Sequence, residues 1–364
     1  MKEINIAKMI TTKRKEKKIT QDELAKYLGV SKAAISKWET GQSYPDITFL
    51  PILASYFNVS IDALIGYEPQ MMKEEIKSLY QRLCHDFTTR PFNDVIEECQ
   101  DIIRKYYSCF PLLFQMGVLI INHSMLDANQ TQKLNEQAKS LFERVKLNSE
   151  DVDLAKQAQM VEAYCCLLLN EPQEALVLLE GSQKPQLSGE VLQATAYQML
   201  GQLDEAKAAL QISLFKSLIS IVEAFPMLLS LGGADQFEET VSRFMKLEET
   251  FELRKLNPYV VMPILLVVAQ GYVQLGKVEK ALDYLDDYSK LCTYDFYPLK
   301  FRGTPFFDMI EDWYETFDLG NIVPRDEVLI KKSMKDALLQ NPVFTVLHEN
   351  ERFTHLVNRL GERI

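Results

Sequence analysis

The chain has 364 residues, 47% hydrophobic and 25% charged, the balance of a soluble globular protein with room for two or three domains. Its net charge of −11 excludes whole-surface binding to nucleic acid or to an anionic membrane. The charge is uneven. Residues 1–66 carry 10 Lys/Arg against 7 Asp/Glu and the rest carries 30 against 44, so a basic head precedes an acidic body, as expected when only the head meets phosphate.

The first residues, MKEINIAKMITTKRKEKK, contain no apolar core segment, so no secretory signal is expected. Five short helices read between Ile4 and Ile65. Thr20 and Glu23 form a capping box that starts the second helix, which buries Leu24, Ala25 and Leu28. Gly29 ends it, supplying the left-handed residue that helix ends favour. Ser31 caps the third helix, Ile35 and Trp38 point inward, and Gly41 closes it. Asp46 caps the fourth helix and Ser60 the fifth.

Two helices crossing steeply over a short turn need a small residue at the crossing, a turn former four residues later and apolar residues on the inner face of the second helix. Ala25, Gly29, Ile35 and Trp38 meet these needs, which predicts a DNA-binding helix-turn-helix. Lys32, Ala33, Ser36 and Lys37 then lie on the outer face of the third helix. Lysine donates to guanine O6 and N7, and an alanine methyl touches the thymine methyl. The plain alternative for either lysine is a solvated surface charge. Ala33 and Ala34 leave few hydrogen-bonding groups, so specificity leans on DNA shape.

Residues 4 to 66 resemble the helix-turn-helix of the Cro and phage-repressor type, the XRE family, through TQDELAKYLGVSKAAISKWETG and the trailing LASYFNVSIDALIG. The resemblance implies a five-helix domain over residues 1–66 and dimeric binding to palindromic operators in double-stranded DNA. It implies base-reading positions at Lys32, Ala33, Ser36 and Lys37, with Ser31 at the start of the same helix. It also implies a phosphate contact from Gln21 and sugar-phosphate contacts from the loop Gln42, Ser43 and Tyr44.

GYEP, between Gly66 and Pro69, marks a linker over 67–71. The body over 72–364 opens with a helix whose apolar stripe is Met72, Ile76, Leu79, Leu83 and Phe87, either a dimer seam or a face packed on the body. Beyond Arg90 the pattern is helical throughout. Three segments resemble one another: CLLLNEPQEALVLLE (166–180), YQMLGQLDEAKAALQ (197–211) and YVQLGKVEKALDYLD (272–286). They align at Ala175, Ala206 and Ala281, each five residues after a turn residue, Asn170, Gly201 or Gly276. This resembles a tetratricopeptide-like repeat of helical hairpins, with a degenerate unit around Gly232 and Gly233. The alternative is an irregular helical bundle. NPVFTVLHENERFTHLVNRL reads as a terminal helical hairpin capping the solenoid, opened by Asn341 and Pro342. The fold class expected is all-α.

The repeat resemblance places Tyr164, Leu167, Thr195, Gln198, Gln270 and Gln274 toward a ligand-binding groove, where glutamine amides bond a peptide backbone. Ordinary solvated polar residues are the plain alternative. A head and body of these kinds resemble the peptide-responsive regulators of the Rgg, PlcR and PrgX type, which implies a homodimer whose body senses a short signalling peptide. The acidic body suits a cationic or neutral peptide. A second reading is an interaction module that captures a partner protein while the head tethers it to DNA.

The longest apolar run, residues 260–269, contains Pro263 and is too short to cross a bilayer, so no membrane partner is expected and the chain reads as cytoplasmic. The six cysteines lack C-x-x-C spacing and read as reduced core thiols; a redox or metal sensor built on Cys84, Cys99 or Cys109 has no ligand spacing behind it. His85, His123, His348 and His355 show no metal spacing, and no phosphate loop or nucleophile elbow is present. The chain therefore reads as a non-enzyme without a cofactor or metal.

Overall fold

Local punctuation builds the head. A computed structural model describes residues 6–67, 70–181, 188–293, 301–321 and 323–363; the expectations resting on Ile4 and Pro69 lie outside the described residues. The head contains α1 (Ile6–Glu16), α2 (Gln21–Leu28), α3 (Lys32–Glu39), α4 (Leu50–Phe57) and α5 (Ile61–Ile65). Thr20 and Glu23 complete the capping box of α2, and the Ser31 and Ser60 hydroxyls accept from Ala34 and Ala63 N–H to start α3 and α5. Each such cap contributes ~1 kcal/mol. Gly29, at φ 70°, ends α2 in the left-handed conformation. Asp46 departs from expectation, because it caps a 3-10 turn, Ile47–Phe49, that runs on into α4. Ile10, Leu24, Ala25, Ile35, Trp38, Leu53 and Leu64 close one core.

The body begins with α6 (Lys73–Thr89), which buries Ile76, Tyr80, Leu83, Cys84 and Phe87. Met72 is exposed and Leu79 only half-buried, so the inward stripe is rotated from the expected one. These buried residues join the body core, which removes this stripe as a dimer seam. The helices α7 (Phe92–Lys105), α8 (Phe110–His123) and α9 (Thr131–Asn148) pack next.

The repeat hairpins follow: α10 (Val152–Leu168) with α11 (Pro172–Leu178), then α12 (Gly189–Met199) with α13 (Leu203–Leu231). After α14 (Ala234–Phe251) and α15 (Leu253–Leu256), α16 (Pro258–Gln274) pairs with α17 (Val278–Cys292). Asn170, Gly201 and Gly276 hold φ of 60°, 77° and 71°, the left-handed turn that the repeat pattern requires. Ala175, Ala206 and Ala281 are buried at the helix crossings. Gly232 and Gly233 both stand at φ −68° in extended backbone, so the degenerate unit turns by a different geometry.

Two expectations about the body are corrected. It is not helical throughout: residues 301–310 form an irregular strap before the short α18 (Glu311–Glu315). Aromatic packing holds the strap, with Phe307, Trp313 and Tyr314 set edge-on around Phe215. The Tyr80 hydroxyl donates to the Pro324 carbonyl at 2.9 Å and Lys73 Nζ to the Thr316 carbonyl at 2.7 Å, so the chain that follows α18 returns to α6. After α19 (Glu327–Leu339), the first arm of the terminal hairpin is a 3-10 helix, Pro342–Leu347, and only the second is α-helical, α20 (Glu351–Arg363). Arg352 and Arg359 of α20 bond Asp283 and Asp286 of α17, at 2.6 and 2.7 Å.

Among the described residues one helix, α13, is long and apolar enough to cross a membrane by length and composition, which a search for uninterrupted apolar runs misses because Lys216 and Glu223 break the run.

Close approach at α16 rests on a missing side chain. A Cβ at Gly271 would overlap the Phe237 ring, itself packed edge-on against Tyr272 at 5.2 Å. Gly271→Ala is expected to lower stability by about 1–3 kcal/mol through overpacking, read from denaturant unfolding. An unchanged midpoint would show that the Phe237 ring moves aside freely.

Candidate nucleic-acid interface and body groove

Three turn residues separate α2 from α3, and Val30 N–H returns to the Ala25 carbonyl at 3.0 Å. The inner face of α3 is fixed by Ile35 and Trp38, both buried. Lys32, Ala33 and Lys37 are exposed and Ser36 is half-buried, so these four share the outward face. Neither lysine has an acidic partner among the described residues. The Ser31 hydroxyl is engaged by Ala34 N–H at 3.1 Å. The loop after α3 folds back on its end, with Gln42 and Ser43 N–H donating to the Lys37 carbonyl at 2.9 and 3.3 Å. Gln42 and Tyr44 stay exposed and Ser43 is half-buried.

A polar node sets the angle of these helices. Arg14 of α1 grips Glu39 of α3 through two nitrogens, at 2.6 and 3.0 Å, and its third donates to the Ile19 carbonyl at 2.8 Å. Gln21 of α2 donates to the same Glu39 carboxylate at 2.8 Å. Burial pushes the Glu39 carboxyl up, but hydrogen bonds from Arg14 and Gln21 and the Arg14 charge outweigh it, leaving it below its ordinary value. The Gln21 side chain is therefore engaged inside the head by Glu39. Sequence reading missed this node because its members stand 25 and 18 residues apart.

In the body, the structure brings together two of the six residues placed toward a groove. Tyr164 and Leu167 stand exposed on α10, Thr195 and Gln198 exposed on α12, and the Thr195 hydroxyl donates to its own helix at Val191 O, 3.0 Å. The reason is packing. The α10–α11 and α12–α13 hairpins close small separate clusters, around Cys166 and around Ala206, instead of one stacked core. Gln270 and Gln274 share a cleft of ≈ 270 Å³ with Leu229 and Phe237.

Gln270 also lines a larger groove of ≈ 1080 Å³. One wall is Pro263, Leu266, Val267 and Gln270 of α16, and the other carries Lys332 and Asp336 of α19 with Arg325 just before it. The Arg325 Nε is buried without a hydrogen-bond partner, and its guanidinium has no acidic partner among the described residues. Burial lowers the Arg325 pKa. His123 is buried nearby, its Nδ1–H donating to Leu119 O at 2.8 Å, and burial pushes its pKa down to about 4.

All six cysteines are free and buried, and burial pushes the Cys84, Cys99, Cys165 and Cys292 thiols up to about 12. Thiols so far from the thiolate form are poor nucleophiles, against a redox sensor. Cys166, Glu171 and Glu174 converge, but Lys139 already bridges the two carboxylates at 2.6 and 2.5 Å and supplies the cation there.

Over 52 residues the chain is 46% identical to the HTH-type transcriptional activator BcrR of Enterococcus faecalis, a match covering 14% of this chain and 26% of that protein. The chain thus spans about a quarter of the length of the curated relative it matches. Apo forms of ComR from S. thermophilus and from Streptococcus vestibularis align with 80% of this chain and with 94% and 92% of theirs, at 16% and 13% identity and TM-scores of 0.25. Such scores bear on neither the arrangement nor the function of this chain. Residues 10–64, the segment in which the capped α2, the Gly29 turn and the outward face of α3 lie, match the helix-turn-helix family.

Proposed function

We propose that this chain is a dimeric, sequence-specific DNA-binding transcriptional regulator, acting in the cytoplasm, whose helical body takes a ligand that modulates operator binding. The observation that carries it is the outward face of α3, where Lys32 and Lys37 stand exposed, without an acidic partner among the described residues, on a helix anchored from behind by Ile35, Trp38 and Glu39. In this reading residues 1–66 read a palindromic operator, 67–71 link and 72–364 sense. Lys32, Ala33 and Ser36 meet base edges, Lys37 a base or phosphate, and Ser31, Gln42, Ser43, Tyr44 and the start of α2 at Gln21 hold the backbone.

The favoured ligand is a short peptide, and the groove bordered by Gln270 is its site. The local charge revises the expectation drawn from the acidic body. Arg325 and Lys332 face the groove against Asp336 alone, and Arg325 lacks an acidic partner among the described residues, so a peptide with a free carboxylate and apolar side chains suits it better than a cationic one. Capture of a partner protein is the second reading, favoured by exposed Leu176, Val177 and Leu192 on α11 and α12.

Footprinting on the bound operator is expected to show two half-sites about 34 Å apart or a multiple of it. A single asymmetric footprint opposes the dimeric reading. Calorimetry with synthetic apolar octapeptides bearing free or amidated C-termini tests the groove. Arg325→Gln is expected to weaken binding of the free-carboxylate series about 10- to 100-fold, the value of one charge-assisted hydrogen bond, and to leave ligand-free DNA binding unchanged. Equal affinity in wild type and variant would remove Arg325 from the site.

A further inference from the structure

The longest helix carries two apolar faces, and the fold uses one. Along α13, 29 residues long, Phe215, Leu218, Val222, Phe225 and Leu229 are buried in the main core. Beside them runs a second line: Leu210, Leu214, Ser217, Ile221, Ala224, Leu228 and Leu231, every one exposed. Leu214, Ile221, Leu228 and Leu231 leave 50%, 53%, 54% and 76% of their surface open. The intervals between neighbours alternate four and three without a break, over ~32 Å of helix at 1.5 Å per residue. That alternation is the signature of a helix-on-helix seam, the heptad in which every second contact returns to the same edge.

The order of side chains names the occupant. Counted outward from Ile221, a small residue comes first on both sides, Ser217 and Ala224, then a leucine, Leu214 and Leu228, then a second leucine, Leu210 and Leu231. A line that reads nearly the same in both directions is complementary to itself when reversed. We propose that α13 is the dimer seam, pairing antiparallel with α13 of a second copy about a two-fold axis at Ile221. Leu214 then meets the partner's Leu228, Ser217 meets the partner's Ala224, and Ile221 meets the partner's Ile221. Opposed helix dipoles favour this direction over the parallel one. No charge lies on the line. Lys216 and Glu223 project to its sides, and Lys216 is held by Glu190. The seam side chains expose on the order of 500 Å² per copy, most of the ~800 Å² per partner that a stable interface covers before its flanks are counted. The inference rests on the dimeric regulator proposed above and supplies its surface.

Because the seam residues are exposed, they can be changed without opening the core. Sedimentation velocity of the full chain is expected to give twice the chain mass, and Leu214→Glu with Leu228→Glu to give a single-chain mass with unchanged helical circular dichroism. Under mild oxidation Ile221→Cys is expected to form a disulfide-linked pair. Leu214→Cys alone is expected not to, its counterpart lying ~21 Å away, whereas Leu214→Cys mixed with Leu228→Cys is expected to link. The six buried native cysteines give little background. A single-chain mass for the unmodified protein would overturn the proposal, as would linkage of Leu214→Cys to itself, which marks a parallel pair. Flotation of a single-chain species with anionic phospholipid vesicles would overturn it too, assigning α13 to a membrane, for which it has the length and composition. Two half-sites in the footprint, with a glutamate variant that remains dimeric, would overturn the seam alone and leave the regulator standing. Loss of the footprint from unmodified dimeric protein would strike the regulator reading instead.

Discussion

Glu39→Ala is expected to destabilise the head by about 1–3 kcal/mol, because it leaves the half-buried Arg14 without its anion. The side chains of Arg14 and Glu39 keep only 14% and 6% of their surface exposed, so water cannot replace the missing partner cheaply. The substitution also frees Gln21, so all three of the first helices lose their common anchor. Five helices with one small core have a stability of only a few kcal/mol to lose. Thermal unfolding followed by fluorescence at Trp38 reads the effect, and operator binding should disappear with it. A change below 1 kcal/mol would show the node to be a solvated surface pair. The same node sets an acid limit. Glu39 titrates below its ordinary value of 4.5 in the folded head, so its contribution is complete above that value and is lost as pH falls through the depressed one. Glu39→Gln is expected to lower stability near neutrality and to remove this part of the acid dependence.

Lys32→Ala combined with Lys37→Ala is expected to reduce operator affinity by ~10²–10⁴-fold, at ~1–3 kcal/mol for each base-reading side chain removed. The decision between reading and holding lies in the comparison with random DNA. A base-reading lysine costs specific binding more than non-specific binding, and a phosphate-holding one costs both alike while reducing the salt slope by about one. Unmodified protein should bind operator with affinity falling steeply between low and moderate salt, and a flat response would reject the phosphate contacts altogether. Both lysines are solvent-exposed and make no ion pair among the described residues, so the double variant should unfold at the wild-type temperature.

What the sequence reveals depends on distance along the chain. Thr20 with Glu23, Ser31 with Ala34 and Gly29 act within a few residues, so the boundaries and the crossing of α2 and α3 are legible from local pattern. The left-handed turns at Asn170, Gly201 and Gly276 are legible for the same reason. The Arg14, Gln21 and Glu39 node is not, because three separate helices must first be packed. The groove is further out of reach, since Gln270 and Arg325 converge on it from 55 residues apart. The strap of 301–310 has no period to detect and is held by rings around Phe215. On α13, two adjacent apolar lines blur each other, and only the burial of one reveals the other.

The return of the chain after α18 to α6 changes how the body comes apart. A stack of hairpins that touch only their neighbours frays from either end, one unit at a time, and melts over a broad range. Here Tyr80 and Lys73 hold carbonyls of Pro324 and Thr316, more than 240 residues downstream, so the first helix of the body is fastened to its last third. The body is expected to melt in one sharp event, and a chain cut short before residue 316 would leave Tyr80 and Cys84 of α6 without the Pro324 carbonyl that both meet.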